Sequence, residues 1–324
     1  MKKALFIIPY FGEFKSYFQL FLDSCAYNSD FNWLIITDNH KKYNYPENVR
    51  VVYSEFKDLQ DRIRSKFDFD VSIDRPYKLC DYKPAYGYIF SNYIKGFKMW
   101  GYCDTDLIFG NIGEFISIAD INRFAKIGIF GHCTLIKNEE KYNKAFMLPL
   151  NGENIFEEVY KSKENHSFDE EFNKSINNIF EQYGYEIKED LKLANIYTKS
   201  SNFKLTTLNA DKHSYSVEPL KKKALFIFNN GILSRVSKNN NSIIRKVYAY
   251  IHMQSRSMRV SDDLNYKLYK IIPNSFDNLE VSKVTKANFE SIKIKHFNMH
   301  YFKLRSHNLL LKIKKGVIKI WKQR

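Results

Sequence analysis

Asp104 and Asp106 stand one residue apart in MWGYCDTDLIFGNI, residues 99–112, between two stretches that both favour burial. Paired carboxylates are hard oxygen donors that suit Mg²⁺ or Mn²⁺, ions that keep several waters and are completed by substrate phosphates. Gly101 and Gly110 bracket the segment, and Thr105 between the aspartates is compatible with a turn. Carboxylates beside apolar structure are costly to desolvate unless a cation or hydrogen bonds offset the loss. Two readings follow: a site for a divalent ion on a diphosphate, or a pair that caps a loop by accepting from backbone amides.

Either reading needs elements that carry the pair to a rim. KALFIIPY (3–10), NWLIITDN (32–39) and VRVVYSE (49–55) have the β-branched and aromatic enrichment of buried strands. Phe14, Phe18, Phe21, Leu22 and Cys25 recur at helical spacing, which predicts a helix over 14–28, and a second helix is predicted over 85–97. Strands alternating with helices imply a parallel sheet with right-handed crossovers, whose ligands gather beyond the carboxyl ends of the strands. Residues 127–137 read as a strand or a strand pair. The stretch 138–215 is polar, with weak helical patterns at 153–161 and 168–183, and reads as a variable lid or acceptor region. Strands are predicted at 221–228 and 247–254, joined by the loop SKNNNS.

The chain carries 51 Lys and Arg against 36 Asp and Glu, a formal charge of +15 that favours anionic partners. The charge is concentrated in FKLRSHNLLLKIKKGVIKIWKQR (302–324), which has no acidic residue. On a helix, Leu310, Ile313, Val317, Ile320 and Trp321 form one stripe with lysines opposite. That pattern fits an interfacial anchor on an anionic membrane, or a terminal helix docked on the core. No recognised nucleic-acid module or Gly/Arg-rich arm is present, so nucleic acid is not expected as a partner. Apolar runs fall short of a membrane span, and Pro9 interrupts the opening stretch, so it reads as a strand and not a signal peptide. Four cysteines without a CxxC pair read as reduced thiols in a cytoplasmic protein, and the basic tail adds the expectation that it is peripheral on the inner face of the membrane. The absence of a P-loop, GxGxxG and HExxH argues against kinases, dinucleotide enzymes and zinc proteases.

YCDTDLIFGNI resembles the aromatic-x-DxD-hydrophobic segment of GT-A-type glycosyltransferases, and YKLCDYKPAYGYIF (77–90) resembles the donor-side segment of a bacterial family from capsule and lipopolysaccharide biosynthesis clusters. IIPYFG, WLIITDN and YAYIHMQSR (248–256) extend the likeness in chain order, with the middle and the tail least covered. The resemblance implies an α/β fold, GT-A-like (Rossmann-like), with a mostly parallel central sheet flanked by helices. It further implies a catalytic domain over 1–260 that includes the lid, and a C-terminal extension over 261–324 ending in the basic helix. By resemblance, Asp104, Asp106 and His252 would hold Mn²⁺ or Mg²⁺. Pro9, Tyr10 and Asp38 would receive the nucleoside, Asp81 and Lys83 the donor sugar or its phosphates, and Arg256, with Arg259 nearby, the diphosphate.

Glycosyl transfer displaces a nucleoside diphosphate at an anomeric carbon, and an inverting enzyme also needs a carboxylate base beside the acceptor hydroxyl. Asp169 and Glu170, with Glu171, in SFDEEFN are the candidates, although an acidic first helical turn would read the same. His132 in FGHCTLIKN is a candidate acceptor contact. The expected activity is a hexosyltransferase acting from a nucleotide-sugar donor, expected to be a UDP-hexose, on a glycan or lipid-linked glycan acceptor. The alternatives are a metal-dependent phosphoesterase or nucleotidyltransferase, and a non-enzymatic basic protein that binds membrane or RNA.

Overall fold

The computed structural model describes residues 2–170, 173–197, 203–209, 214–219, 224–239 and 242–294, and beyond them 299–300, 302–303, 305–310 and 313. The chain forms two compact units that interleave along the sequence: residues 1–14, 21–105 and 112–191 in the first, and 15–20, 106–111 and 192–324 in the second. The 138–215 stretch is therefore shared, passing from one unit to the other at residue 192.

Strands are numbered in chain order through both units. The first unit holds β1 (Ala4–Pro9), β2 (Phe31–Thr37), β3 (Val49–Tyr53), β4 (Met99–Cys103), β6 (Lys126–Phe130), β7 (Cys133–Lys137) and β8 (Ile187–Lys188). They form one sheet in the order β3-β2-β1-β4-β7-β6-β8. From β3 to β4 every pairing is parallel. At β7 the sheet turns antiparallel, because β6 and β7 make a hairpin on the far side of β4, so the sheet is mixed and not mostly parallel throughout. β1 and β2 are continuous apolar runs because both faces of their half of the sheet are covered. Leu5, Ile7, Leu34, Ile36, Trp100 and Tyr102 belong to one core with Tyr82, Phe146 and Tyr160, and Tyr82 stacks on Tyr160 at 4.2 Å.

The second unit holds a five-stranded sheet, β11 (Ser214–Val217), β10 (Leu205–Asn209), β9 (Leu193–Ile196), β15 (Tyr250–His252) and β5 (Leu107–Phe109), in that order. It also holds a six-stranded sheet of β12 (Ala224–Asn229), β13 (Ile232–Asn239), β14 (Ser242–Val247), β16 (Arg259–Val260), β17 (Leu268–Ile272) and β18 (Ser275–Asn278). Its order is β14-β13-β12-β17-β18-β16.

Several predicted elements are shorter than their patterns. The helix expected over 14–28 spans Phe18–Ala26. In place of a helix over 85–97 there is one turn, Tyr86–Ile89, beginning after Lys83–Ala85. The strands predicted at 221–228 and 247–254 are not joined directly, since β13 and β14 intervene and SKNNNS links those two. The 168–183 pattern yields a helix only at Ile176–Gln182, where Ser175 Oγ accepts from Asn177 N at 3.2 Å. Asp169 and Glu170 therefore precede the helix and do not form its first turn. Among the described residues, no helix is long and apolar enough to cross a membrane. Residues 305–310 are helical, whereas Val317, Ile320 and Trp321 of the expected stripe lie outside the described residues.

Candidate functional site

Because β1, β2, β3 and β4 run parallel, the loops after Pro9, Thr37, Tyr53 and Cys103 leave the same edge of the first unit's sheet. Asp38, directly after β2, accepts from Gly12 N at 2.8 Å, and Asn39 Nδ2 donates to Gly12 O at 3.0 Å. These bonds hold the Tyr10–Phe14 loop through a glycine at φ +100°, a conformation that a side chain would strain. Tyr10 follows Pro9 and stacks on Phe14 at 4.6 Å. Pro9, Tyr10 and Asp38 thus stand together at this edge, and Asp38 also has a structural duty in fixing the loop.

Asp104 leaves β4 on that edge, its N–H bound to His132 O at 3.0 Å. The carboxylate of Asp104 meets Lys83, whose Nζ lies 2.9 Å from Asp104 Oδ1, 3.1 Å from Asp169 Oδ2 and 2.7 Å from Gly131 O. Burial works against the Lys83 ammonium, but Asp104 and Asp169 outweigh it and hold its pKa well above the ordinary lysine value. Asp169 is 2% exposed, and its Oδ1 has no hydrogen-bond partner. Burial, assisted by Glu170, pushes the Asp169 carboxyl up to about 6 against the pull of Lys83. A Cβ on Gly131 would lie 2.5 Å from Asp169 Oδ2, so glycine is what admits this carboxylate.

The chain turns at Thr105 and Asp106 before β5. In the second unit β5 pairs antiparallel with β15, which sets His252 opposite Leu107. His252 Nε2 lies 3.4 Å from Asp106 Oδ1, while its Nδ1 faces Asn195 Oδ1 at 3.1 Å. Asn195 Oδ1 also accepts from Gln254 Nε2 at 2.6 Å, so Nδ1–H is the donor to it. Nε2 then confronts a carboxylate oxygen with a lone pair, and an arrangement of two acceptors is stable only with a cation or a proton between them. The other oxygen of Asp106 accepts from Ser255 N, which realises half of the amide-capping reading. Burial opposes ionisation of Asp106, yet with a proton on Nε2 the charge and hydrogen bond of His252, together with the Ser255 amide, hold its pKa below the usual carboxylate value.

Asp104, Asp106 and His252 each offer a ligand atom, and these atoms lie within 4.8 Å of one another. Two carboxylates and an imidazole whose distal nitrogen is oriented by an amide are donors that Mn²⁺ accepts readily and Mg²⁺ accepts through its oxygens. The donor set fits the ion expected from the sequence.

Other expected contacts are corrected. Asp81 is fully buried, and its carboxylate is consumed by Lys78 Nζ at 2.8 Å and by the amides of His166 and Phe168. Its bonds are spent inside the fold, where it ties down the 164–168 segment that leads to Asp169. Arg256 is buried as well, with Nε donating to Pro273 O at 2.7 Å and the guanidinium over the Phe203 ring. Arg259 pairs with Asp277 at 2.6 Å. The His132 ring is buried and stacked on Phe130, so the residue serves Asp104 through its carbonyl and not an acceptor through its ring. Glu170 is half-buried beside Asp169, and Glu171 lies outside the described residues. Burial lifts the Cys80 thiol to about 12, which makes it a poor nucleophile.

Sequence reasoning missed Lys78, Gly131, Asn195 and Ser255. Lys78 was visible three residues before Asp81, at a helical ion-pair spacing. The other three act through chain segments remote from the motifs they serve and carry no local signal. No curated protein matches the chain. The model of DUF6625, a family of unknown function, matches residues 6–280, and the chain belongs to that family.

Proposed function

We propose that the protein is a metal-dependent glycosyltransferase of GT-A-like fold, transferring a hexose from a nucleotide-sugar donor such as a UDP-hexose to a bacterial surface-glycan acceptor. The single observation that carries this reading is the convergence of Asp104, Asp106 and His252 within 4.8 Å, on the motif that resembles the DxD segment of such enzymes. These three residues would hold Mn²⁺ or Mg²⁺, which when bound neutralises charge building on a departing diphosphate.

The chain's own groups have separate tasks. Asn195 fixes the His252 ring so that Nε2 is the nitrogen presented to a ligand. Lys83 supplies a permanent positive charge next to Asp104 and lowers the cost of adding a diphosphate there. Asp169, with one oxygen on Lys83 and the other buried without a hydrogen bond, is the carboxylate that would take a proton from an acceptor hydroxyl once the acceptor or a side-chain shift uncovers that oxygen. Its pKa of about 6 leaves it ionised at neutral pH and basic enough to be useful. The Tyr10–Phe14 loop and Asp38 offer an aromatic and hydrogen-bonding surface for a nucleoside at the same sheet edge as Asp104.

The test is a screen of UDP-, GDP- and CMP-sugars for slow hydrolysis with Mn²⁺, with and without EDTA. The expected result is hydrolysis of one nucleotide class, abolished by EDTA and by Asp106→Asn. Full hydrolysis in EDTA, full activity of Asp106→Asn, or no turnover of any sugar nucleotide would overturn the reading.

A further inference from the structure

We propose that the C-terminal segment seats the protein on an anionic lipid surface, a role that does not depend on the glycosyltransferase reading. From residue 291 to 324 the sequence has ten Lys and Arg and no Asp or Glu, so two-thirds of the formal charge of +15 sits in this last tenth of the chain. Among the described residues here, Met299 is 72% exposed, Leu309 and Leu310 are each 58%, and Ile313 is 53%. Residues 305–310 are helical, as are 302–303 and 313, and the spacing 299, 302, 309, 313 places the apolar side chains on one stripe. Lys303 and Arg305 are exposed on the same stretch.

Large aliphatic side chains open to water beside a run of cations have one partner that suits both parts. A bilayer interface takes the stripe into its acyl boundary while anionic headgroups meet the lysines. A nucleic acid would answer the charge and leave the aliphatic side chains wet. A second copy would bring like charges together. The family match ends at residue 280, so the segment lies outside what the family model describes.

The experiment sediments the full chain with vesicles of phosphatidylcholine alone and of phosphatidylcholine mixed equally with phosphatidylglycerol. Binding to the mixed vesicles is expected to exceed binding to the neutral ones by at least about tenfold. The triple variant Leu309→Ser, Leu310→Ser, Ile313→Ser should lose at least about tenfold of that binding with its melting temperature unchanged. Lys303→Gln with Arg305→Gln should weaken it severalfold. The proposal is overturned by equal sedimentation of parent and triple variant, or by no preference for the anionic vesicles. It is also overturned if a single-stranded RNA binds with steep salt dependence while vesicles do not, or if the triple variant abolishes a parent dimer without changing vesicle binding.

Discussion

Lys78 and Lys83 stand five residues apart in one short segment, and each makes an ion pair with aspartate, yet the two pairs are built to opposite ends. The Lys78–Asp81 pair is sealed, with both side chains 0% exposed. Lys78 Nζ also donates to Val159 O at 2.9 Å and Glu164 O at 2.5 Å, while Asp81 accepts from two amides. The Lys83 group is open only at Asp104, which is 36% exposed, while Asp169 is 2% exposed and keeps a buried oxygen without a partner. The residue types are the same in both, although Lys78 meets an aspartate three residues on and Lys83 meets two that are remote in sequence. What separates a clamp from a site is whether every lone pair and proton is already used.

The comparison is broken most directly at the sealed pair. Asp81→Ala leaves a buried ammonium without its carboxylate and is expected to cost about 3–5 kcal/mol of folding stability, read by urea denaturation. Replacing both partners, Lys78→Met with Asp81→Leu, should recover most of that loss, because a buried ion pair exchanged for apolar packing is often nearly neutral. An Asp81→Ala loss below about 1 kcal/mol would make the pair no more than a surface contact.

The open group is sharpened by pH. Folding raises the Asp169 pKa from its ordinary 3.8 to about 6, so the folded chain binds this proton more tightly than the unfolded chain does. The stabilisation from this group is therefore full below about pH 4 and drains away as pH rises through about 6. Its total is on the order of 2–3 kcal/mol. Subtracting the stability-against-pH curve of Asp169→Asn from that of the parent should show this downward slope. A flat difference would mean that Asp169 is not held apart from water. If the carboxylate is the base, the parent's transfer rate should also gain an acidic limb near pH 6 that Asp169→Asn lacks.

Much of this was legible in the sequence where the information is local. β1 and β2 could be read because a strand covered on both faces is a continuous apolar run. Asp104, Asp106 and Asp38 could be placed at strand ends for the same reason. The helix expected at 85–97 failed because its apolar spacing reflects packing of a short turn against β4: a Cβ on Gly87 would fall 2.2 Å from the Trp100 ring. Asp81 and Arg256 were misassigned because burial and partner choice depend on His166, Phe168 and Pro273, which are far away in sequence. The DEE run looked like a helix start because acidic residues suit an N-terminal turn, but the helix begins later, where Ser175 caps it.

A smaller effect separates loop fixing from ligand binding at Asp38. Asp38→Ala removes one hydrogen bond to Gly12 N and is expected to cost about 1 kcal/mol in urea denaturation. If the Tyr10–Phe14 loop receives the nucleoside, the same change should raise KM for the donor severalfold while kcat moves little. An unchanged KM would leave Asp38 with the loop alone.

The smallest stability change is expected at the most chemically exposed position. In Asp104→Asn, Lys83 keeps Asp169 Oδ2 at 3.1 Å and Gly131 O at 2.7 Å, so its ammonium stays paired. The lost attraction is to a carboxylate that solvent already screens, and the cost should stay below about 1 kcal/mol. Mn²⁺ binding, followed by the loss of its free-ion paramagnetic resonance signal, should nonetheless weaken by at least about tenfold, because a ligand of the Asp104, Asp106 and His252 set is gone. Stability and ion binding then move independently at Asp104, whereas at Asp81 only stability responds. If Asp104→Asn destabilises the chain as much as Asp81→Ala does, the two lysine pairs are one structural core, and the difference in their exposure has no functional meaning.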